Sequence, residues 1–194
     1  MKQRLRQVLS QRQKGRIVDA KLAPSAVLVP IYYKQEQYYI LFTKRTERVK
    51  EHKGQISFPG GAYQDGDETL VNTALRECAE EIGLMPHQVE VLGELDDTTT
   101  ETSGYIISPF VAFIPWPYQF RVNWETEEII DVPISALLDK GCSHQETKVI
   151  DGQAVTSYFY HYQQRVIWGA TARILNQFLD IIAQVIKINR DSKT

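Results

Sequence analysis

The sequence predicts an α+β fold with a mixed β-sheet. Two observations predict it: strand-like apolar runs dominate the middle of the chain, and segments with helical periodicity punctuate these runs and end the chain. A third observation concerns domain organisation, because no internal repeat or low-complexity linker divides the chain. The 194 residues are 43% apolar, so one domain spanning residues 1–194 can bury a substantial core.

The first elements are a helix and a hairpin. A helix is predicted over residues 2–12, within an N-terminal helical extension of about residues 1–20. Strands near residues 25–32 and 38–43 are separated by the polar run Lys34-Gln35-Glu36-Gln37, which predicts a β-hairpin.

The elements after the central helix alternate between strands and helices. Strand-like runs occupy residues 88–95, 105–115, 128–133, 146–150 and 156–162, and a short helix is predicted over residues 135–139. The last helix, about residues 169–188, has Ala172, Leu175, Leu179, Ile182 and Ile186 at core spacing.

The central helix has three carboxylates on one turn. Glu77, Glu80 and Glu81 are neighbours at i, i+3 and i+4, where like charges repel by roughly 0.2–0.5 kcal/mol per pair. A divalent cation would reverse that sign, and oxygen ligands that leave room for water and phosphate oxygens suit Mg²⁺ or Mn²⁺. The alternative is an acidic, solvated helix face.

The neighbouring residues anchor this helix. Val71, Ala74, Cys78 and Ile82 form a buried stripe, and Gly83 lies where a helix commonly ends in the left-handed conformation. The preceding Asp65-Gly66-Asp67 predicts a turn that caps the helix, and the Gly60-Gly61 pair permits a tight backbone path. A glycine turn that leads into an acid-lined helix suits a metal-bridged polyphosphate.

Residues 60–84 resemble the Nudix box. Residues 76–84 match its second half, Arg-Glu-aliphatic-any-Glu-Glu-any-Gly-aliphatic, with Cys78 as the aliphatic residue. The first half is one residue longer than the pattern, so the acid that supports the loop is either Asp67 or Glu68. The resemblance implies an α/β/α sandwich, with the mixed sheet between helices, and a metal-dependent hydrolase.

A second resemblance, upstream, is to the coenzyme A (CoA) pyrophosphatase branch of that family. Residues 41–46, Lys50, Gly54 and residues 58–61 follow its signature with intact spacing but with substitutions at Phe42, Thr46 and Lys50, and the branch shares the longer box. Lys50 replaces an arginine and therefore lacks the planar fork that binds phosphate bidentately. Residues 167–172 are a third similarity. The implied reaction is hydrolysis of CoA to 3′,5′-ADP and 4′-phosphopantetheine.

The resemblance also implies roles for individual residues. Glu77 and Glu81 are the expected metal ligands, Glu80 contacts the metal directly or through water, and Arg76 pairs with a glutamate. A downstream acid acts as base in many relatives; Glu128 is favoured, then Glu125, although either fits an edge-strand charge equally well. The expected substrate-binding residues, from the basic loop and the glycine turn, are Arg45, Lys50, Gly54, Gly60 and Gly61.

Composition indicates which classes of binding partner and which cellular compartment to expect. The 24 acidic residues nearly balance 22 Lys and Arg, so no basic excess indicates nucleic acid, and the longest apolar run, residues 26–33, is too short to span a membrane. The two cysteines match neither a disulfide framework nor a metal site, which favours a reducing cytoplasm. The sequence is compatible with a homodimer but does not fix the oligomeric state.

Two other functions compete with CoA hydrolysis. One is hydrolysis of another nucleoside diphosphate derivative, such as ADP-ribose or a dinucleotide. The other is a non-hydrolytic nucleotide sensor, which would be expected to have lost acids from the box, whereas all of them are present here.

Overall fold

A computed structural model describes residues 1–48, 52–150 and 153–191. It confirms the predicted α+β class: an eight-stranded mixed sheet lies between helices, and a three-stranded antiparallel sheet accompanies it. The organisation as a single domain over residues 1–194 stays a prediction.

The described residues contain four α-helices and eleven strands. The helices are α1 (Lys2–Gln11), α2 (Leu70–Ile82), α3 (Ile134–Leu137) and α4 (Gly169–Asp191). The strands are β1 (Ala23–Lys34), β2 (Gln37–Arg45), β3 (Ile56–Ser57), β4 (Gly60–Ala62), β5 (Glu90–Glu94), β6 (Thr98–Thr99), β7 (Tyr105–Phe113), β8 (Thr126–Pro133), β9 (Ser143–Ile150), β10 (Gln153–Tyr162) and β11 (Arg165–Ile167).

Strand β1 is the centre of the main sheet. It pairs antiparallel with β2 and β4 and parallel with β7, while β5 and β6 pair with β7, and β3 and β8 with β2. Successive side chains of a strand point to opposite faces. Leu28 therefore packs in the core beneath α2, whereas Val29 and Ile31 pack in the core shared with α1 and α4. This arrangement is the expected α/β/α sandwich.

The predicted hairpin is confirmed. Lys34 pairs with Gln37 across a two-residue turn, and both turn residues, Gln35 and Glu36, have positive φ. Such a turn matches the right-handed twist of the flanking strands. The N-terminal helix ends at Gln11, so the helical part of the extension is shorter than predicted.

Strands β3, β4, β6 and β11 were not predicted, because two or three residues are too short for a periodicity signal. The last helix begins where predicted. No helix in the described ranges is long and apolar enough to cross a membrane. Both cysteines are free thiols, as their spacing indicates.

Candidate active site

A cleft of about 590 Å³ lies where β4, α2 and the start of α4 meet. This volume is in the range typical of small-molecule sites. Its charged lining comprises Arg45, Glu77, Glu80, Glu81, Glu101 and Glu125, together with His52, and the glycine pair lies beside the glutamates.

Local capping fixes the helix that carries the glutamates. Thr69 is the N-cap of α2, and its hydroxyl accepts from the backbone N–H of Asn72 at 3.3 Å. The expectation that the Asp65–Asp67 turn caps the helix is therefore wrong. At the other end Gly83 adopts the predicted left-handed conformation, with φ of 70°. Cys78 and Ile82 are fully buried, so the opposite side of the helix faces the cleft.

The glycine pair allows the carboxylates to lie against the backbone of β4. The N–H of Gly60 donates to Glu81 Oε2 at 3.2 Å. A Cβ on Gly61 would lie 2.6 Å from the carboxyl carbon of Glu77, so a side chain there would displace the Glu77 carboxylate from this position. Gly60 and Gly61 therefore position both carboxylates by close approach.

Burial disfavours the charged forms of these two glutamates. Desolvation raises the pKa of Glu81 to about 7 and also raises the pKa of Glu77. Arg45 compensates little, because its Nη1 lies 3.9 Å from Glu81 Oε1. Glu77 is paired with Arg76 Nη1 at 2.8 Å, whereas the buried Glu81 has no close cationic partner among the described residues. A cation would supply the missing charge, and carboxylate oxygens are the ligands that Mg²⁺ and Mn²⁺ accept.

Glu80 is placed differently. Its side chain is 54% exposed and accepts from Arg76 Nη1 at 3.2 Å. The described part of the chain contains no ready-made cluster of three ligating side chains. The residues therefore fit an open site, in which Glu77 and Glu81 supply protein ligands and water or substrate oxygens complete the set, as Mg²⁺ usually requires.

Arg76 connects the acid helix to the preceding loop. Its Nε and Nη2 each donate to one oxygen of Asp67 at 3.0 Å, and its Nη1 donates to Glu77 Oε1 at 2.8 Å. Asp67 also accepts from Thr73 and from the backbone of Gln64. Asp67 is buried and Glu68 is exposed, so Asp67 is the acid that supports the loop.

This network predicts unequal effects of two neighbouring substitutions. Asp67→Asn should lower the free energy of unfolding by about 2 kcal/mol, because the amide cannot accept from the whole guanidinium fork. Glu68→Gln should change it by less than about 0.5 kcal/mol, as expected at an exposed position. Urea denaturation of both variants measures the difference, and equal effects would contradict the assignment of the loop acid.

The pH dependence has a defined sign. Hydrogen bonds from Arg76 lower the pKa of Asp67 to about 2. The stabilisation by Asp67 should therefore be complete above about pH 4 and be lost as the pH falls towards 2.

The structure separates the two candidate bases. Glu125 lines the cleft and accepts from Arg45 Nη2 at 3.3 Å. Burial is the main cause of the raised pKa of Glu81, and the charge of Glu125 adds to it. Glu128 does not line the cleft, and it accepts from Arg165 Nη2 at 2.6 Å. The preference for Glu128 over Glu125 is therefore not supported by its position.

Only some of the expected substrate-binding residues line the cleft. Arg45, Gly60 and Gly61 line the cleft. The Nε atom of Arg45 is buried and has no hydrogen-bond acceptor among the described residues, so it is an unsatisfied donor of a residue that lines the cleft. Gly54 does not line the cleft; with φ of 65° it forms the turn after β2. Lys50 lies outside the described residues.

A second part of the cleft lining, here called the second wall, contains residues that have no predicted role. This wall consists of Thr100, Glu101, Thr102, Ser103, Tyr105, Trp168, Gly169, Ala170 and Thr171. The motif at residues 167–172 was the available signal, but the motif alone does not show which cavity these residues face.

Comparison with known proteins agrees with this architecture. The NUDIX domain model matches residues 22–151. A Photorhabdus laumondii protein named uncharacterized Nudix hydrolase NudL is 37% identical over 154 residues, 79% of this chain and 81% of that protein. A protein of the same name from Escherichia coli O1:K1 / APEC is 34% identical over 154 residues, 79% of each.

Solved structures show the same fold. A MutT/nudix family protein from Enterococcus faecalis has a TM-score of 0.56 at 16% identity, covering 92% of this chain and 66% of that chain. A Caenorhabditis elegans Ap4A hydrolase has a TM-score of 0.50 at 15% identity, covering 59% and 82%. With the family match and the relatives above 30% identity, the chain belongs to the Nudix hydrolase family.

Proposed function

We propose that this protein hydrolyses the pyrophosphate bond of CoA or a CoA derivative in a reaction that requires Mg²⁺ or Mn²⁺. Water adds across the P–O–P bond, and the products are 3′,5′-ADP and 4′-phosphopantetheine. The observation that carries the proposal is the pair formed by the buried Glu81 and the partly buried Glu77, in a cleft that also contains Arg45. The choice of CoA rests on the signature around residues 41–61.

Glu77 and Glu81 would hold the cation, and Glu80 would join them after its carboxylate leaves Arg76. When bound, such a cation neutralises a pyrophosphate and lowers the pKa of a nearby water. Arg76 keeps Glu77 in place through the 2.8 Å contact, and Asp67 keeps Arg76 in place. These residues therefore act as one preorganised unit.

Glu125 is our proposed base in place of Glu128. Glu125 lines the same cleft as the glutamates of α2, and Arg45 Nη2 lies 3.3 Å from its carboxylate. In this position it can accept the proton of the attacking water while the glutamates of α2 remain ligands. Glu128 would then be a sheet-edge charge paired with Arg165.

Arg45 is the proposed phosphate contact on the same side. Its buried Nε donor is unused among the described residues. A phosphate oxygen would satisfy this donor with a charge-assisted hydrogen bond. Lys50 is proposed from the sequence as a second contact, to the 3′-phosphate that distinguishes CoA from dephospho-CoA.

This assignment predicts discrimination by the 3′-phosphate. We expect kcat/KM for CoA to exceed that for dephospho-CoA by at least about tenfold, which corresponds to one charge-assisted contact. Lys50→Ala should reduce the ratio mainly by raising KM for CoA. Lys53→Ala, an exposed lysine that does not line the cleft, is the matched control and should keep the ratio. Equal rates for both substrates would refute 3′-phosphate recognition.

ADP-ribose or a dinucleotide is the competing substrate, since the glutamates and Arg45 would serve any nucleoside diphosphate derivative. A homodimer and a cytoplasmic location are further proposals from the sequence. Sedimentation velocity would test the first, and fractionation of the source cells the second.

A further inference from the structure

The cleft has two chemically different walls. One wall has the three glutamates of α2, Arg45 and Glu125, and it is strongly charged. The second wall consists mainly of hydroxyl-bearing and small residues around one indole ring, and its one carboxylate, Glu101, is paired with Arg173. The charged wall suits phosphates and cations, so the other wall is free to bind an uncharged part of the ligand.

Trp168 is the larger of the two aromatic side chains of this second wall, the other being Tyr105. It lines the cleft, yet 47% of its surface stays exposed to solvent. Its ring contacts no other ring within the described ranges, whereas Trp116 stacks on Tyr32 at 4.8 Å between ring centroids. Trp168 therefore presents an unused π-face at the edge of the cleft.

The loop that contributes Thr100–Ser103 to the same cleft is held in place by α4. Arg173 donates to Thr98 Oγ1 at 3.2 Å, to the carbonyl of Thr99, and to Glu101 at 2.9 Å. The Thr100 hydroxyl accepts from the backbone of Tyr105 at 2.9 Å. Trp168 directly precedes α4, and Arg173 in the first turns of α4 fixes the loop, so both parts of this wall are tied to the same helix.

Contacts from the N-terminal segment also hold this loop in place. The N–H of Gly15 donates to Asp96 Oδ1 at 2.7 Å, and Lys14 Nζ lies 2.8 Å from Asp97 Oδ1. Asp97 in turn accepts from Ser108. Residues 96–99 are therefore anchored on two sides, which favours a preformed subsite over a loop that orders on binding.

We infer that Trp168 is the stacking platform for the planar purine base of the nucleotide, with the hydroxyls of Thr102, Ser103 and Thr171 close enough to the cleft to bind its polar edge. A base has two apolar faces and a polar rim, which matches an indole surrounded by hydroxyls. The inference rests on the proposed function only in placing the phosphates at the charged wall. It concerns binding, so it applies equally to CoA and to ADP-ribose.

The test compares two ligands that differ only in the base. AMP and ribose 5-phosphate both lack a P–O–P bond, so their binding does not depend on cleavage. Isothermal titration calorimetry with Mg²⁺ present should show that wild-type protein binds AMP more tightly. Trp168→Ala should weaken AMP binding at least about fivefold, the lower end of base stacking on an aromatic side chain, and leave ribose 5-phosphate unchanged.

Two further variants make the result specific. Trp168→Phe keeps an aromatic face and should retain most of the AMP affinity. Trp124→Ala removes another exposed tryptophan, 64% exposed and outside the cleft lining, and should change neither ligand. Circular dichroism verifies that each variant is folded.

The inference is overturned if Trp168→Ala and Trp168→Phe both bind AMP as tightly as the wild type does. It is also overturned if these variants lose affinity for AMP and for ribose 5-phosphate equally, or if the wild type binds AMP no more tightly than ribose 5-phosphate. A protein that passes this test but leaves CoA intact would refute the proposed substrate and retain the base subsite. The reverse pattern would refute only the subsite.

Discussion

Replacing Glu81 with glutamine should lower kcat by about 10³-fold or more, the size of the several kcal/mol that metal charge stabilisation supplies. Glutamine keeps an acceptor for the Gly60 N–H but loses the charge that would hold the cation. Steady-state kinetics with saturating Mg²⁺ measures the loss, with the exposed Glu68→Gln as the control that keeps turnover. Near-native kcat in Glu81→Gln would refute Glu81 as a principal ligand.

The same variant should gain stability in the absence of metal. Burial raises the pKa of Glu81 to about 7, whereas an unfolded glutamate titrates near 4.5. As the pH rises between these values, the unfolded chain releases a proton that the folded state retains, so the free energy of unfolding of the wild type falls.

Glu81→Gln removes this penalty. At pH 8 the metal-free variant should exceed the wild type by about 3 kcal/mol in free energy of unfolding, and the difference should vanish near pH 4. Mg²⁺ should stabilise the wild type more than the variant, because binding to the folded state raises its stability.

The second large effect separates the two candidate bases. Glu125→Gln should lower kcat by about 10²-fold or more, the usual contribution of a positioned base, with a smaller change in KM. Glu128→Gln should retain kcat within about threefold, because Glu128 pairs with Arg165 outside the cleft. The pair is well matched, since Glu125 directly precedes β8 and Glu128 lies three residues later within that strand.

The opposite ranking of these variants would restore Glu128 as the base. Equal and large losses in both would indicate damage to β8 rather than removal of a base, and thermal unfolding of each variant detects such damage.

The sequence predicts those parts of the fold that have long periodic signals. The hairpin of β1 and β2, the acid helix and its end at Gly83, and the start of α4 were all predicted from spacing or turn chemistry. Strand β4 was not predicted, because Gly60–Ala62 has no periodicity and pairs with β1 only through tertiary contact. The role of Thr69 as N-cap was missed because the Asp65–Asp67 turn offered competing acids.

The candidate site shows the same limit. Three glutamates on one turn predict a cation site, since i, i+3 and i+4 positions are neighbours on any helix. The choices between Asp67 and Glu68, and between Glu125 and Glu128, depend on which side chain turns towards Arg76 or the cleft. Spacing along the chain does not encode that direction when a loop has one extra residue or a strand begins after a turn.

The most direct measurement of the central claim is identification of the products after the purified protein is incubated with CoA, ADP-ribose and a dinucleotide, each with Mg²⁺ or Mn²⁺. Our account predicts equal amounts of 3′,5′-ADP and 4′-phosphopantetheine from CoA, the highest kcat/KM for CoA, and loss of activity with a chelator. Faster cleavage of ADP-ribose than of CoA at matched concentrations, with the same metal, would contradict it.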